Sequence, residues 1–240
     1  MHSDTDRRGD GPLAVAAASA EVLRHPEAHE DLLTEIERVR AARFRHETTR
    51  QDFVAAHILV RLCAAQLLGV TAAEVTLAQS CPGCGKGDHG KPYLPGHPDV
   101  HVSLSHTKGV VAAAAGFGPV GVDVERAERD GPGQDVLERV LTEAELRLVR
   151  EHAEPGWAFL RQWVRKEAMV KIGRATLDSM GALDLSALPL ETVGGAPLSS
   201  RFEDLHLLDW DAPQYGATAS VVSPQAPRLA GLVGLTGLGG

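Results

Sequence analysis

The chain has 240 residues, with 24 Lys+Arg against 32 Asp+Glu, a formal net charge of −8, and 43% hydrophobic and 23% charged residues. This balance is near the globular average and excludes wholesale disorder and a fibrous fold, while the acidic excess argues against a broad nucleic-acid face, which needs clustered cations. No apolar run reaches spanning length, so no membrane protein is expected, and three cysteines, of which only Cys81 and Cys84 are neighbours, fit a reducing cytoplasm better than a disulfide framework.

Residues 1 to 11 read as a polar arm. Arg7 and Arg8 precede an Ala-rich stretch too weakly apolar for an export signal, so Leu13 to Ala18 is read as a first strand. Leu32, Leu33, Ile36 and Val39 recur at helical spacing. Phe53, Ala56, Val60, Ala64, Leu67 and Leu68 do so over a longer helix ended by Gly69. Val75 to Leu77 predicts a short strand, and the Gly-, Pro-, Cys- and Lys-rich stretch from Ser80 to Gly96 a loop. The alternation of Val100, Val102 and Leu104 with His101, Ser103 and Ser105 predicts a half-buried strand. Val110 to Ala115 and Val120 to Val124 predict two more, followed by a surface crossing from Arg126 to Gln134. Thr142 and Glu145 have the spacing of a capping box opening a helix to about Glu151. A stronger helix runs from about Trp157 to Ile172 and closes at Gly173. Leu205 to Trp210 and Ala217 to Val222 read as strands, before a Gly/Leu-rich tail expected to be poorly ordered. Strands and helices mix without regular alternation, which predicts an α+β fold.

Four patterns carry chemistry. In "GVDVE" (Gly121 to Glu125), Asp123 and Glu125 project to one side of a strand and Val122 and Val124 into the core. Two such carboxylates can hold a hard cation or form an ordinary solvent face. In "WVRKEAMVKIG", Trp163, Glu167 and Lys171 share one helix face. They can act as packing foot, metal ligand and phosphate partner, or Glu167 and Lys171 can be a plain surface pair. Lys166, about 100° round the helix from Glu167, points elsewhere. Ser105 and His106 end a strand as a donor pair for an anionic oxygen. No G-x-S-x-G elbow surrounds Ser105, which disfavours an acyl-transfer nucleophile, and a structural role for His106 stays open. Lys91, between Gly90 and Pro92, is a stiffly placed cation.

In this order, "GKP" (Gly90 to Pro92), "LSH" (Leu104 to His106), "GVDVE" and "W-x-x-KEA-x-x-K-x-G" (Trp163 to Gly173) resemble the 4′-phosphopantetheinyl transferase superfamily, in its long, surfactin-synthetase-activating type. The likeness covers roughly Arg40 to Gly173, and "RF" (Arg43, Phe44) and "LVR" (Leu59 to Arg61) resemble the family's early region. It implies a monomeric pseudo-dimer of two similar α/β subdomains, with the active site between them. The boundaries are 1–118, for coenzyme A binding, and 119–240, for the metal and catalytic residues. It implies transfer of 4′-phosphopantetheine from coenzyme A to a serine of an acyl, polyketide or peptidyl carrier protein, releasing adenosine 3′,5′-bisphosphate. Asp123, Glu125 and Glu167 would hold Mg²⁺ with the pyrophosphate, a sound ligand set for that ion. Lys171 would bind the α-phosphate or assist the leaving group, and Lys91, Ser105 and His106 would hold the 3′-phosphate and pyrophosphate. Arg40 and Arg43 would add to the nucleotide site, and Glu167, or a water it orients, is the candidate base for the carrier serine.

The helix from Thr142 to Glu151, with Arg147 and Arg150, would face the acidic carrier by fold-level analogy. Two departures stand out. "RQDFVAAH" puts Asp52 and Phe53 where relatives place Arg-Thr or Arg-Ser near the adenine, and "RATLDSMG" follows Gly173 without the family's second glycine. The competing functions are a catalytically silent carrier-protein or coenzyme A binder and a metal-dependent phosphoesterase. Separately, Cys81, Cys84 and His89 have the spacing of half a zinc site. His97, His101 and Cys63 are candidate fourth ligands with nothing to choose among them, so the segment is read instead as a turn that positions Lys91.

Overall fold

The computed structural model describes residues 11–81, 83–127, 132–191 and 195–235. The arm at 1–10, the end of the tail at 236–240 and part of the crossing at 128–131 lie outside them. The fold is α+β. Strand β1 (Leu13–Ala18) leads into the short helix α1 (Ser19–Val22), then α2 (Glu35–Ala41) and the long α3 (Glu47–Leu68). The hairpin β2 (Ala78–Ser80) and β3 (Lys91–Tyr93) precedes β4 (His101–Thr107), β5 (Val110–Gly116) and β6 (Gly121–Arg126). Helices α4 (Gln134–Val140), α5 (Glu143–Glu151) and α6 (Pro155–Ile172) follow, then β7 (Leu198–Phe202), β8 (Leu205–Ala212), β9 (Ala217–Ser223) and β10 (Arg228–Leu229).

Two four-stranded sheets, ordered β10-β1-β5-β4 and β6-β9-β8-β7, pack face to face between α3 and α6. Alternation along β5 explains this. Val111, Ala113 and Ala115 join Phe53, Ile58, Leu59 and Leu62 of α3 in one core. Val110, Ala112 and Ala114 join Val122 and Val124 of β6, Ala219 and Val221 of β9 and Trp210 of β8 in a second. A strand buried on both faces reads as an unbroken apolar run, and β5 does. Each large apolar side chain that α3 buries stabilises the fold by roughly 1.5–3 kcal/mol before entropy. Gly69 caps α3 in the left-handed region at φ 70°, and Gly173 caps α6 at φ 89°.

Several expectations need correction. Helix α3, at 22 residues, is long and apolar enough to cross a bilayer by length and composition alone, which the absence of an unbroken apolar run concealed. Here it is the core helix, with Arg61 buried and bound bidentately to Glu37 of α2 (3.0 and 2.6 Å). That ion pair also inverts α2: Glu37 and Ala41 are buried, while Ile36 and Val39 are 53% and 48% exposed. The strand expected at Val75–Leu77 lies three residues later, because Thr71 and Glu74 form a capping box on a single 3-10 turn at Ala72–Glu74. The loop from Ser80 contains β3. The crossing ends in α4, and β7 lacked any apolar run to mark it. The tail does not fray over its described part: β10 pairs in parallel with β1, and Leu235 is buried in the first core.

Candidate functional site

The site forms where β4, the edge of one sheet, meets β6, the edge of the other. The Val122 backbone N–H donates to Ser103 Oγ across this seam (3.0 Å). Alternation sends Val122 and Val124 into the inter-sheet core and Asp123 and Glu125 to the opposite face. On that face α6 closes onto β6, because Gly121 has no side chain: a Cβ there would lie 2.2 Å from the Ala168 carbonyl oxygen. This close approach brings Glu167 and Lys171, one turn apart on α6, over the strand.

Lys171 Nζ donates to Asp123 Oδ1 (2.7 Å) and to the Val122 carbonyl (2.9 Å). Ser105 Oγ donates to the same Oδ1 (2.6 Å). Asp123 is 3% exposed, yet its Oδ2 has no hydrogen-bond partner. A buried carboxylate oxygen left unpaired is costly. Its neighbours sharpen the imbalance. Burial, and then the Asp123 charge, push the Glu125 carboxyl up to about 7, against a hydrogen bond from Thr107 and the charge of Lys171. Glu167 is raised by the same two causes in the same order, with Lys171 opposing. One ammonium thus faces three carboxylates.

Hard oxygen donors with unbalanced negative charge suit a divalent cation, and Asp123 Oδ2 is free to take one. The residues therefore fit such an ion. Their carboxylates do not all lie within 4.8 Å of one another: among the described residues, only Cys81, Cys84 and His89 bring three metal-binding atoms that close.

His106, the next residue of β4, is exposed beside this cluster. Partial desolvation holds its ring below the ordinary histidine value; Asp52 opposes this, and Lys171 and Arg40 add to it. Asp52 accepts from Ser19 Oγ (2.5 Å) and the Gly109 N–H (3.0 and 3.1 Å), so it pins the β4–β5 turn to α3. Phe53 is buried, with the Arg40 guanidinium 5.1 Å over its ring.

The structure thus brings Ser105, His106, Asp123, Glu125, Glu167 and Lys171 together. The other expected residues stand further out. Lys91 is exposed on β3 beside His101, at the opposite end of β4 from His106. Arg40 and Arg43 line a groove with Ile36, Val39 and Lys86, and Arg40 Nη1 donates to the Asp88 carbonyl (2.8 Å). Arg147 and Arg150 are exposed on α5. Lys166 points away from the carboxylates, fully buried against Glu145 (2.6 Å).

Sequence reading missed Ser103, which alternation placed on the strand without a partner, and Thr107, which lay beyond the expected strand. It also missed a cavity of about 510 Å³ beside Glu125, lined by Arg126, Val136, Phe159, Leu160 and Trp163. The three aromatic residues between Trp157 and Trp163 were its one visible signal.

Residues 119–219 match the sequence model of the 4′-phosphopantetheinyl transferase superfamily. A Bacillus subtilis 4′-phosphopantetheinyl transferase is 28% identical over 137 residues, 56% of this chain and 57% of that protein. A second B. subtilis protein, 4′-phosphopantetheinyl transferase ffp, is 26% identical over 136 residues, with the same two shares. The chain spans just over half the length of the curated relatives it matches.

Proposed function

We propose that this chain, which belongs to the 4′-phosphopantetheinyl transferase superfamily through residues 119–219, transfers 4′-phosphopantetheine from coenzyme A to a serine of an acyl, polyketide or peptidyl carrier protein. The observation that carries the reading is the buried, unpartnered Asp123 Oδ2 among three carboxylates at the sheet junction. The reaction is a phosphoryl transfer. The carrier serine oxygen forms a bond to the phosphorus that bears pantetheine, the diphosphate P–O bond breaks, and adenosine 3′,5′-bisphosphate leaves.

Asp123, Glu125 and Glu167 would hold Mg²⁺, which would supply positive charge to offset that growing on the leaving group. The residues supply the rest. Lys171, fixed by Asp123 and the Val122 carbonyl, presents its remaining N–H to a phosphate oxygen. Ser105 orients Asp123 by occupying the oxygen that Lys171 also binds. Glu167, held above the ordinary carboxylate range, is poised to take the serine proton at a carboxylate oxygen. His106, with Arg40, Arg43 and Lys91 further out, offers cations for the nucleotide phosphates. The exposed Arg147 and Arg150 of α5 offer charge to an acidic carrier. The two sheets, each backed by its own long helix, support the pseudo-dimer arrangement, with a boundary near residue 118 that β10 crosses back over to join the first sheet, and a single chain as the working unit. Three free thiols among the described residues are in keeping with a reducing cytoplasm.

The test is to incubate the chain with apo carrier protein, coenzyme A and Mg²⁺ and to weigh the carrier. A phosphopantetheine adduct is expected. An unmodified carrier with intact coenzyme A would mark a silent binder, and hydrolysed coenzyme A a phosphoesterase; either result overturns the reading.

A further inference from the structure

The cluster at the tip of the β2–β3 hairpin lies outside the carboxylate site and has no part in the proposed transfer. Cys81 Sγ, Cys84 Sγ and a His89 ring nitrogen lie within 4.8 Å of one another. Cys84 Sγ is 3.3 Å from His89 Nε2, and His89 Nδ1 is 2.6 Å from Asp88 Oδ1. A carboxylate on the far ring nitrogen fixes the histidine's tautomer and aims Nε2 at the thiols, the arrangement that orients a metal-bound histidine.

The backbone is shaped to the same end. The Gly85 N–H donates to the Cys81 carbonyl (2.8 Å) and the Cys81 N–H to the Lys86 carbonyl (3.0 Å). Gly85 takes φ 70°, and Gly90 takes φ 100° with no room for a Cβ, which would fall 2.4 Å from the Ser80 carbonyl oxygen. These two glycines let the chain turn back on itself and bring His89 to the two sulfurs.

We propose that Cys81, Cys84 and His89 bind one Zn²⁺, with Asp88 orienting His89. Two thiolates and one imidazole are the donor set that zinc takes in preference to a hard ion such as Mg²⁺. The sequence-level alternatives for a fourth protein ligand fall away among the described residues. Cys63 is buried in the α3 core against the Leu13 carbonyl, and neither His97 nor His101 joins the cluster. Cys84 is exposed, so water completes the tetrahedron and the ion is open to chelators. The hairpin has three residue pairs of its own, and Arg40 of α2 grips the Asp88 carbonyl near its tip and Gln79 on β2. Zinc would clip this tip and hold the Arg40–Lys86 groove in shape.

The experiment uses the full chain purified without chelator, together with Cys84→Ser, Asp88→Asn and Cys63→Ala. Zinc is measured by elemental analysis, uptake by titration against a chromophoric chelator, and the site by cobalt substitution. The expected results are one zinc per chain and a thiolate-to-cobalt charge-transfer band. Cys84→Ser should lose both, and Cys63→Ala should keep both. Asp88→Asn should retain the band with affinity about 10–100-fold weaker. A zinc-free chain that takes up none from the chelator would overturn the proposal, whether its thiols are free or joined as a Cys81–Cys84 disulfide. So would zinc retained in Cys84→Ser. None of these measurements depends on transferase activity, so the two readings fail separately.

Discussion

Lys166 and Lys171 sit five residues apart on α6 and serve opposite ends. Lys171 is part-exposed and faces the carboxylates. Lys166 is 0% exposed and bound to Glu145, the Val140 carbonyl and the Met180 carbonyl. It knots α4, α5 and the segment after α6, and Glu145 doubles as the capping residue of α5. Helical geometry distinguished the two lysines from sequence, because 100° of rotation per residue is fixed. What Lys166 reaches was invisible, because its partners are 26 and 14 residues away in the chain. Replacing Lys166 by Met leaves Glu145 buried and uncompensated, at a cost of about 3–5 kcal/mol. Chemical denaturation should show that loss, with Lys166→Met/Glu145→Gln less destabilised than Lys166→Met alone.

His57 carries a pH dependence of its own. Burial lowers its ring to about 4 from 6.5, against the pull of Glu37, with Arg61 and Arg40 adding to the shift. As pH falls below 6.5, the unfolded chain takes up a proton that the folded one refuses until about 4. Stability is therefore lost across that window, by up to about 3 kcal/mol. The lowered Glu37 carboxyl loses stability in the same direction at lower pH. Unfolding free energies measured along this range should slope less steeply in His57→Gln than in the wild type. An unchanged slope would count against a buried neutral ring.

At the scale of elements, the long helices and the two-face-buried strands were legible because their periodicity is set by the core they cover. The first strand is found at the residues expected, Leu13–Ala18. Legibility failed where a polar pair overrode periodicity. Ile36 and Val39 form a regular apolar stripe, yet Arg61 draws Glu37 inward and turns that stripe to solvent. It failed again at β7, whose burial alternates around polar residues, and at the hairpin, which short strands and glycines disguised as a loop.

The contact of α6 with β6 is the element-level feature on which the site depends. Gly121→Ala would set a methyl 2.2 Å from the Ala168 oxygen, and α6 must shift to relieve it. Glu167 and Lys171 would move with the helix while Asp123 stays on the strand. Misplacement on the scale of 1 Å can cost on the order of 100-fold in rate. Transfer by Gly121→Ala should fall by about that factor, with the fold retained by circular dichroism. Undiminished transfer would mean that the helix does not set the site.

For the molecule as a whole, the net charge of −8 gave no hint of where its charges lie. The fold concentrates three acids at the seam between two sheets, close to Lys171 and His106, with Arg40 beyond. The seam itself could not be read from sequence, because it is made by strands that belong to different sheets and meet edge to edge. Three of the four motifs, all but the one carrying Lys91, gave the residues that converge; the packing of α3, two sheets and α6 brings them together. The end of the chain takes part as well: β10 crosses back to pair with β1, so residues late in the sequence complete the first sheet.

The central claim is that Asp123, Glu125 and Glu167 form a divalent-cation site that binds a diphosphate. Calorimetric titration with coenzyme A, with and without Mg²⁺, tests it most directly on the wild type and Asp123→Asn. Binding should tighten about tenfold or more with Mg²⁺ in the wild type and gain nothing in Asp123→Asn. Equal affinity with and without Mg²⁺ in the wild type, or a full Mg²⁺ effect in Asp123→Asn, would contradict it.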